Sequence, residues 1–141
     1  MNQFVIDASI VLSWCFPDED DADAQHAVTL LQKGSEAVAT SFWRHEVLNG
    51  LLMAERRKRI TETLSQTFMR DLQKLPVHLD AIAASKIFGT DVEALARQHA
   101  LTAYDAAYLE LAIRLGIPLS TLDTDLRRAA QAVGVTLVTG I

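Results

Sequence analysis

The chain has 141 residues, of which half are hydrophobic and 22% are charged, and its formal net charge is −5. This composition excludes a disordered protein, and the negative charge argues against a protein that grips nucleic acid through a broad basic surface. At this length we expect a single domain, residues 1–141, that buries roughly two thirds of the surface of the unfolded chain. No apolar run reaches the roughly eighteen residues of a membrane span, and no basic region precedes the first apolar stretch. We therefore predict a cytoplasmic protein with no membrane partner.

Strands and helices alternate along the first half of the chain. Strands are predicted at 3–6 and 37–40, and helices at 8–15, 22–33, 42–57 and 62–74. The last two helices are indicated by apolar residues at helical spacing, such as Val47 and Leu51 in the first and Leu64 and Phe68 in the second. We expect them to form a helical pair.

The same alternation continues in the second half. Strands are predicted at 77–79, 118–122 and 135–138, and helices at 80–99, 103–115 and 124–133. Gly89 marks a break in the first of these helices, and Gly116 followed by Pro118 marks the end of the second. Such alternation favours right-handed crossovers and a mainly parallel sheet with helices on both faces, which is a three-layer α/β/α sandwich.

Two acidic residues directly follow predicted strands. Asp7 ends the first strand, and Asp123 ends the strand that begins at Pro118. Ligands of such folds collect beyond the carboxyl ends of the strands, where both side chains would lie. Asp also commonly caps the helix that follows, so each residue alone has a purely structural interpretation.

Two further acids lie near the beginnings of predicted helices. Glu46 lies one turn into its helix, with Asn49 and Gly50 on the same face. Asp105 lies three residues after Thr102, which is the spacing of a capping box. The helix dipole and capping explain these two acids taken singly, whereas four acids from four elements could meet at one point.

Four segments carry a family resemblance: VIDAS at 5–9, SFWRHEVLNGL at 41–51, LTAYDAAYLELA at 101–112 and LSTLDTDL at 119–126. In order and spacing they resemble the PIN-domain nucleases, and within that group the VapC toxins. The resemblance covers essentially the whole chain. It implies a metal-dependent endoribonuclease that hydrolyses RNA phosphodiester bonds and acts as the toxin of a type II toxin–antitoxin pair. It also implies a homodimer and a small cognate antitoxin of the VapB kind.

The resemblance assigns the acidic metal site to the four acids described above, which are Asp7, Glu46, Asp105 and Asp123. Supporting roles fall to hydroxyl and amide side chains near them, which are Ser9, Asn49 and Thr121. Asp125 departs from the family pattern and is an alternative to Asp123 as the last ligand. We favour Asp123 because it lies at the strand end, whereas the helix dipole explains Asp125.

An all-carboxylate set suits Mg²⁺, or alternatively Mn²⁺, because both prefer hard oxygen ligands. Such ions activate water and neutralise the charge that develops on a phosphodiester during hydrolysis. The sequence lacks the residue patterns of other kinds of metal or catalytic site. The four histidines do not have the spacing of a zinc site, and the single cysteine, Cys15, lies in an apolar run. The acidic stretch 17–23 does not match a calcium loop.

Two alternative functions remain open, as does the role of one basic segment. A non-catalytic PIN-fold module that only binds is one alternative, and an aspartyl-phosphate phosphatase with Asp7 as nucleophile is the other. Such a phosphatase would carry a DxD motif that begins at Asp7, but Ser9 stands where the second Asp of that motif would be. The basic run 56–59 either contacts RNA or complements the dipole of its helix, and the sequence favours the second.

Overall fold

The computed structural model describes residues 2–81 and 91–140. Four parallel strands form one sheet in the order β3-β2-β1-β4: β1 is Gln3–Ile6, β2 is Glu36–Thr40, β3 is Val77–Asp80 and β4 is Leu119–Ser120. Because β1 is fully buried after Gln3, its three apolar side chains sit in the core between helices on both faces.

Seven helices lie within the described residues. They are α1 Ala8–Cys15, α2 Ala22–Gln32, α3 Trp43–Arg56, α4 Glu62–Leu72, α5 Glu93–His99, α6 Ala103–Leu115 and α7 Thr124–Ala132. Helix α1 contacts α2 and α3, α3 also contacts α4, and α2 packs on the sheet as well. Helix α6 packs on β1, β2 and β4, with α5 and α7 beside it. The predicted three-layer α/β/α sandwich is therefore confirmed.

Short polar residues begin most of these helices, as the sequence indicates. Asp7, Asp21, Thr61, Thr102 and Asp123 each accept a backbone N–H of the first turn through the side chain. None of the helices in the described ranges is both long and apolar enough to cross a membrane.

The prediction of a helix over 80–99 is wrong at its beginning. Asp80 belongs to β3, because the register of β3 on β2 continues to the pair formed by Asp80 and Thr40. Residues 82–90, which include the predicted break at Gly89, lie outside the described residues. The helical part that the structure describes is α5, and it ends at His99 because the next residue, Ala100, has a left-handed φ of 53°.

The last two predicted strands are shorter than expected. Of 118–122 only Leu119 and Ser120 are paired in the sheet, and of 135–138 only Leu137 forms a bridge, to Leu119. The strand β4 ends at Ser120 because the backbone N–H groups of Leu122 and Asp123 bond to side-chain hydroxyls rather than to a neighbouring strand. The strand therefore ends where the candidate site begins.

Candidate active site

Asp7 is the most buried acid of the candidate site, at 4% exposure. Its Oδ1 accepts the backbone N–H groups of Ser9 at 3.0 Å and Ile10 at 3.4 Å. The Ser9 hydroxyl donates to the same oxygen at 2.5 Å, and the Thr121 hydroxyl donates to Oδ2 at 2.5 Å. Asp7 is therefore both the N-cap of α1 and the centre of a small hydrogen-bond network.

The two hydroxyls of this network also fix the loop after β4. Ser9 Oγ accepts the backbone N–H of Leu122 at 2.9 Å, and Thr121 Oγ1 accepts that of Asp123 at 3.0 Å. Each hydroxyl thus donates to Asp7 and accepts from the loop that carries Asp123. This arrangement ties the acid after β1 to the acid after β4.

Glu46 lies in the first turn of α3 and is half-buried. Its Oε1 accepts the phenol of Tyr108 on α6 at 2.5 Å. The ring of Tyr108 is itself buried and meets Phe42 edge-on, with 5.8 Å between the ring centroids. A tyrosine from the opposite layer therefore holds the Glu46 carboxylate across the sheet edge.

Asp105 and Asp123 occupy the beginnings of α6 and α7. The backbone N–H of Asp105 donates to the Thr102 hydroxyl at 3.1 Å, and Asp123 Oδ1 accepts the N–H of Leu126 at 2.8 Å. Asp125 lies one residue into α7, is exposed and pairs with Arg128 at 3.4 Å. Asp125 therefore has an ordinary surface partner, whereas Asp105 and Asp123 are half-buried.

The pKa shifts show that these carboxylates are electrostatic neighbours. Burial raises the pKa of Asp7 to about 6, against the opposing bonds from Ser9 and Thr121, and the charge of Asp105 adds to the rise. Burial also raises the pKa of Glu46, with the charges of Asp7 and Asp105 adding to it and the Tyr108 bond opposing it.

The pKa of Asp105 is likewise raised, first by burial and then by the charge of Asp123, with a smaller contribution from Asp125. The bond with Thr102 opposes this rise. Like charges raise carboxylate pKa values when they lie close together. The four acids at the carboxyl edge of the sheet thus form one interacting cluster, and a cation would relieve its repulsion.

The cluster fits a hard divalent cation by donor type and charge, because it supplies only carboxylate oxygens. In the part of the chain that the structure describes, however, no three acidic, histidine or cysteine side chains are arranged to hold a metal ion. Several oxygens are instead used internally, such as Asp7 Oδ1 and Glu46 Oε1.

The supporting residues differ in where the structure places them. Ser9 and Thr121 contact Asp7 directly, whereas Asn49 is exposed on α3 and its side chain forms no hydrogen bond with residues 2–81 or 91–140. Gly50, on the same helix, faces α1: a Cβ there would lie 2.4 Å from Leu12 Cδ1. The small residue therefore makes room for a leucine of α1.

The sequence did not single out Tyr108 as a partner of Glu46, or Arg127 as a support of the loop after β4. Arg127 Nε donates to the carbonyl of Thr121 at 2.7 Å, and its guanidinium pairs with Asp23. The spacing of Tyr108 and Asp105 on one helix was visible in the sequence, because i and i+3 share a face. The partners in distant elements were not.

The family follows from this fold and from a match to a family model. The PIN domain model matches residues 4–132, which include all four acids and both hydroxyls. The chain therefore belongs to the PIN-domain family, as the four sequence segments predict.

Individual relatives narrow the group to proteins of the VapC type. The chain is 33% identical to Ribonuclease VapC3 of Pyrobaculum aerophilum over 93% of this chain and 97% of that protein. Its fold is similar to VapC20 of Mycobacterium tuberculosis, described as a sarcin-ricin loop cleaving toxin, with a TM-score of 0.66 at 16% identity over 96% of this chain and 98% of the other. FitAcB of Neisseria gonorrhoeae has a TM-score of 0.62 at 14% identity over 97% of both chains.

Proposed function

We propose that this protein is a metal-dependent endoribonuclease that acts as the toxin of a type II toxin–antitoxin pair. The observation that carries the proposal is the group of carboxylates at the carboxyl edge of the sheet, in which the charge of Asp105 interacts with those of Asp7, Glu46 and Asp123. RNA as the substrate is supported by the 33% identity to a protein named a ribonuclease. Membership of the PIN-domain family supports the same conclusion.

The four carboxylates would hold Mg²⁺ or Mn²⁺, which when bound supplies charge neutralisation for the phosphate and activation of water. The residues of the chain orient this ligand set. Ser9 and Thr121 fix the plane of Asp7 by donating to its two oxygens. Tyr108 opposes the rise in the Glu46 pKa and so favours the ionised form that a cation needs. Asn49, the third predicted support, has room to reach a substrate because it is exposed.

The partners and organisation follow from the same reasoning. A small cognate antitoxin of the VapB kind is supported by the similarity to VapC proteins. We also propose that the protein is a homodimer, that it works in the cytoplasm and that residues 1–141 form a single PIN domain. The span of the family model, 4–132, supports the last of these.

The test of catalysis is cleavage of RNA by the purified protein. With Mg²⁺ or Mn²⁺ we expect products with 5′-phosphate and 3′-hydroxyl ends, and no cleavage with EDTA, because the carboxylate set positions water rather than the substrate 2′-hydroxyl. Cyclic phosphate ends would contradict the mechanism. A wild-type protein that is folded and inactive on every RNA would favour the non-catalytic binding module instead.

Amide substitutions test the site assignment. Loss of a group that only supports a metal ligand costs about 10–100-fold, so loss of a ligand should cost at least as much. We expect such losses for the variants Asp7→Asn, Glu46→Gln, Asp105→Asn and Asp123→Asn. Asp125→Asn should be mild, because that side chain is exposed and paired with Arg128. An equal loss for Asp125→Asn would reassign the last ligand.

A further inference from the structure

A cavity of about 450 Å³ adjoins the candidate active site. Ser9 and Asp123 line it, so it is continuous with the carboxylate cluster. Leu12 of α1 and Met53 of α3 add apolar surface, and Met53 is 36% exposed. The volume lies within the range of sites that bind small molecules.

Two arginines of the basic run also line this cavity, and one of them is already engaged. Arg59 pairs with Asp18 at 3.2 Å and with Glu19 at 3.0 Å. Its guanidinium lies 4.2 Å from the centre of the Phe16 ring. Arg59 therefore fixes the segment before α2 beside the cavity and has a structural explanation.

Arg57 differs from Arg59 because its guanidinium has no ion-pair partner among the described residues. Its side chain is exposed and makes no hydrogen bond or ion pair with any residue in the described ranges, although Glu19 and Asp123 line the same cavity. The net charge of the chain is −5, so an unpaired arginine beside an acidic cluster is a local exception. A guanidinium in this position is complementary to a phosphate group in charge and in hydrogen-bonding geometry.

We propose that this cavity binds the nucleotide next to the scissile phosphate of the RNA, and that Arg57 binds the phosphate of that nucleotide. The inference rests on the proposed function. A phosphate that lies against the carboxylate cluster places its neighbouring nucleotide in adjoining space, and this cavity is such a space. Leu12 and Met53 offer apolar surface to the base or sugar, and Arg57 offers the charge that the acidic site lacks.

The first test measures RNA affinity with a matched control. A fluorescein-labelled single-stranded RNA of mixed sequence is titrated in EDTA, so that no cleavage occurs, over a series of NaCl concentrations. Arg57→Ala should weaken binding about tenfold or more, because a hydrogen bond to a charged group is lost. It should also lower the slope of log affinity against log salt by about 0.7, the effect of one phosphate contact on a single strand.

The control for this experiment is Arg56→Ala. Arg56 is the preceding residue and carries the same charge, but it contacts Met53 Sδ at 3.7 Å and is outside the cavity lining described above. Its affinity and salt slope should stay close to those of the wild type. If both variants weaken RNA binding equally, the basic run acts only through bulk charge and the proposal is wrong. The cavity would then be a candidate for binding a segment of a protein partner.

A second pair of variants tests the cavity itself. Met53→Glu places a carboxylate in the lining, and Leu52→Glu places the same charge one residue away on the exposed surface of α3. Met53→Glu should weaken RNA binding about tenfold more than Leu52→Glu; equal effects would overturn the proposal. Cleavage of the same RNA by the wild type with Mg²⁺ separates the two hypotheses. Binding without cleavage of this or any other RNA contradicts the proposed function, whereas cleavage with unchanged Arg57→Ala affinity contradicts only the assignment of the cavity.

Discussion

Two opposing effects act on the pKa of the Asp7 carboxyl group. Removal from water disfavours the ionised form, while the hydroxyls of Ser9 and Thr121 and the backbone N–H of Ile10 favour it. Burial dominates, since the pKa of Asp7 is raised from the ordinary 3.8 to about 6. The metal-free site is therefore less stable with Asp7 ionised than it would be with a neutral side chain.

The pH dependence of stability should reveal this penalty. Because the folded-state pKa is raised, the contribution of Asp7 is fully present below pH 3.8 and is lost as the pH rises through about 6. In EDTA, the free energy of unfolding of Asp7→Asn should increase relative to that of the wild type as the pH rises from 3.8 to about 6, by at most about 3 kcal/mol. Above about pH 6 the difference between the two proteins should stay constant. Asp20→Asn, at an exposed acid of the loop before α2, is the control in urea denaturation and should show no such gain. A constant difference across pH would contradict the raised pKa.

The phenol of Tyr108 gives a second prediction for a single side chain. Tyr108→Phe removes the donor to Glu46, so the pKa of Glu46 should rise further and the acid limb of the pH–activity profile should move to higher pH. Activity at neutral pH should fall about tenfold, the lower end for a group that orients a metal ligand. The pH profile of RNA cleavage is the measurement. Tyr104→Phe, at an exposed tyrosine on the same helix, should behave as wild type.

The contact of α1 with α3 depends on one glycine. Gly50 lies inside α3, where glycine ordinarily costs about 0.5–1 kcal/mol relative to alanine. Its replacement would bring a Cβ within 2.4 Å of Leu12 Cδ1, so the Leu12 side chain would have to shift, which opposes the helix propensity of the new residue. Asp7 caps α1 and Glu46 lies in the first turn of α3, so the spacing of these helices bears on the distance between the two acids.

This contact predicts a change of sign in a double-mutant cycle. Gly50→Ala alone should destabilise the protein, because Leu12 must move to make room. In the background of Leu12→Ala the same substitution should stabilise it by about 0.5–1 kcal/mol, the ordinary helix preference. Urea denaturation of the four proteins measures both effects. If Gly50→Ala has the same effect in both backgrounds, the side chain of Leu12 is not what requires glycine.

Across the whole molecule, the acids of the site come from both helical layers. Asp7 and Glu46 begin helices of one layer, and Asp105 and Asp123 begin helices of the other. Without a cation, the charge of Asp105 raises the pKa values of Asp7 and Glu46, so this repulsion acts between the two layers. A bound cation would therefore stabilise the packing of the entire sandwich as well as the site.

Thermal unfolding with and without Mg²⁺ tests this linkage. We expect wild type to gain about 2.7 kcal/mol when the Mg²⁺ concentration is 100 times Kd, and Asp105→Asn to gain clearly less. In EDTA, Asp105→Asn should be at least as stable as wild type, because it relieves repulsion. Asp71→Asn, at an exposed acid on α4, should respond to Mg²⁺ as wild type does. A destabilised Asp105→Asn with the full response to Mg²⁺ would indicate that Asp105 only caps α6.

The sequence predicted best those features that depend on neighbouring residues. The bounds of α6 follow from the cap at Thr102 and the left-handed Gly116, and both are local signals. The end of β4 was missed because it depends on Ser9, whose hydroxyl accepts a backbone N–H from far along the chain. The bond from Tyr108 to Glu46 and the different surroundings of Arg57 and Arg59 also depend on distant segments. Such partners have no periodicity that a single sequence would reveal.

The hydroxyl bonds between Asp7 and the loop after β4 also bear on when the site can form. Thr121 and Asp7 are 114 residues apart in the chain, and Ser9 and Leu122 are 113 apart. Contacts of such separation close late, because a long loop must be ordered before they are made. A growing chain on the ribosome contains Asp7 long before its donor Thr121 has been synthesised. Incomplete chains released before that point would thus lack an assembled active site.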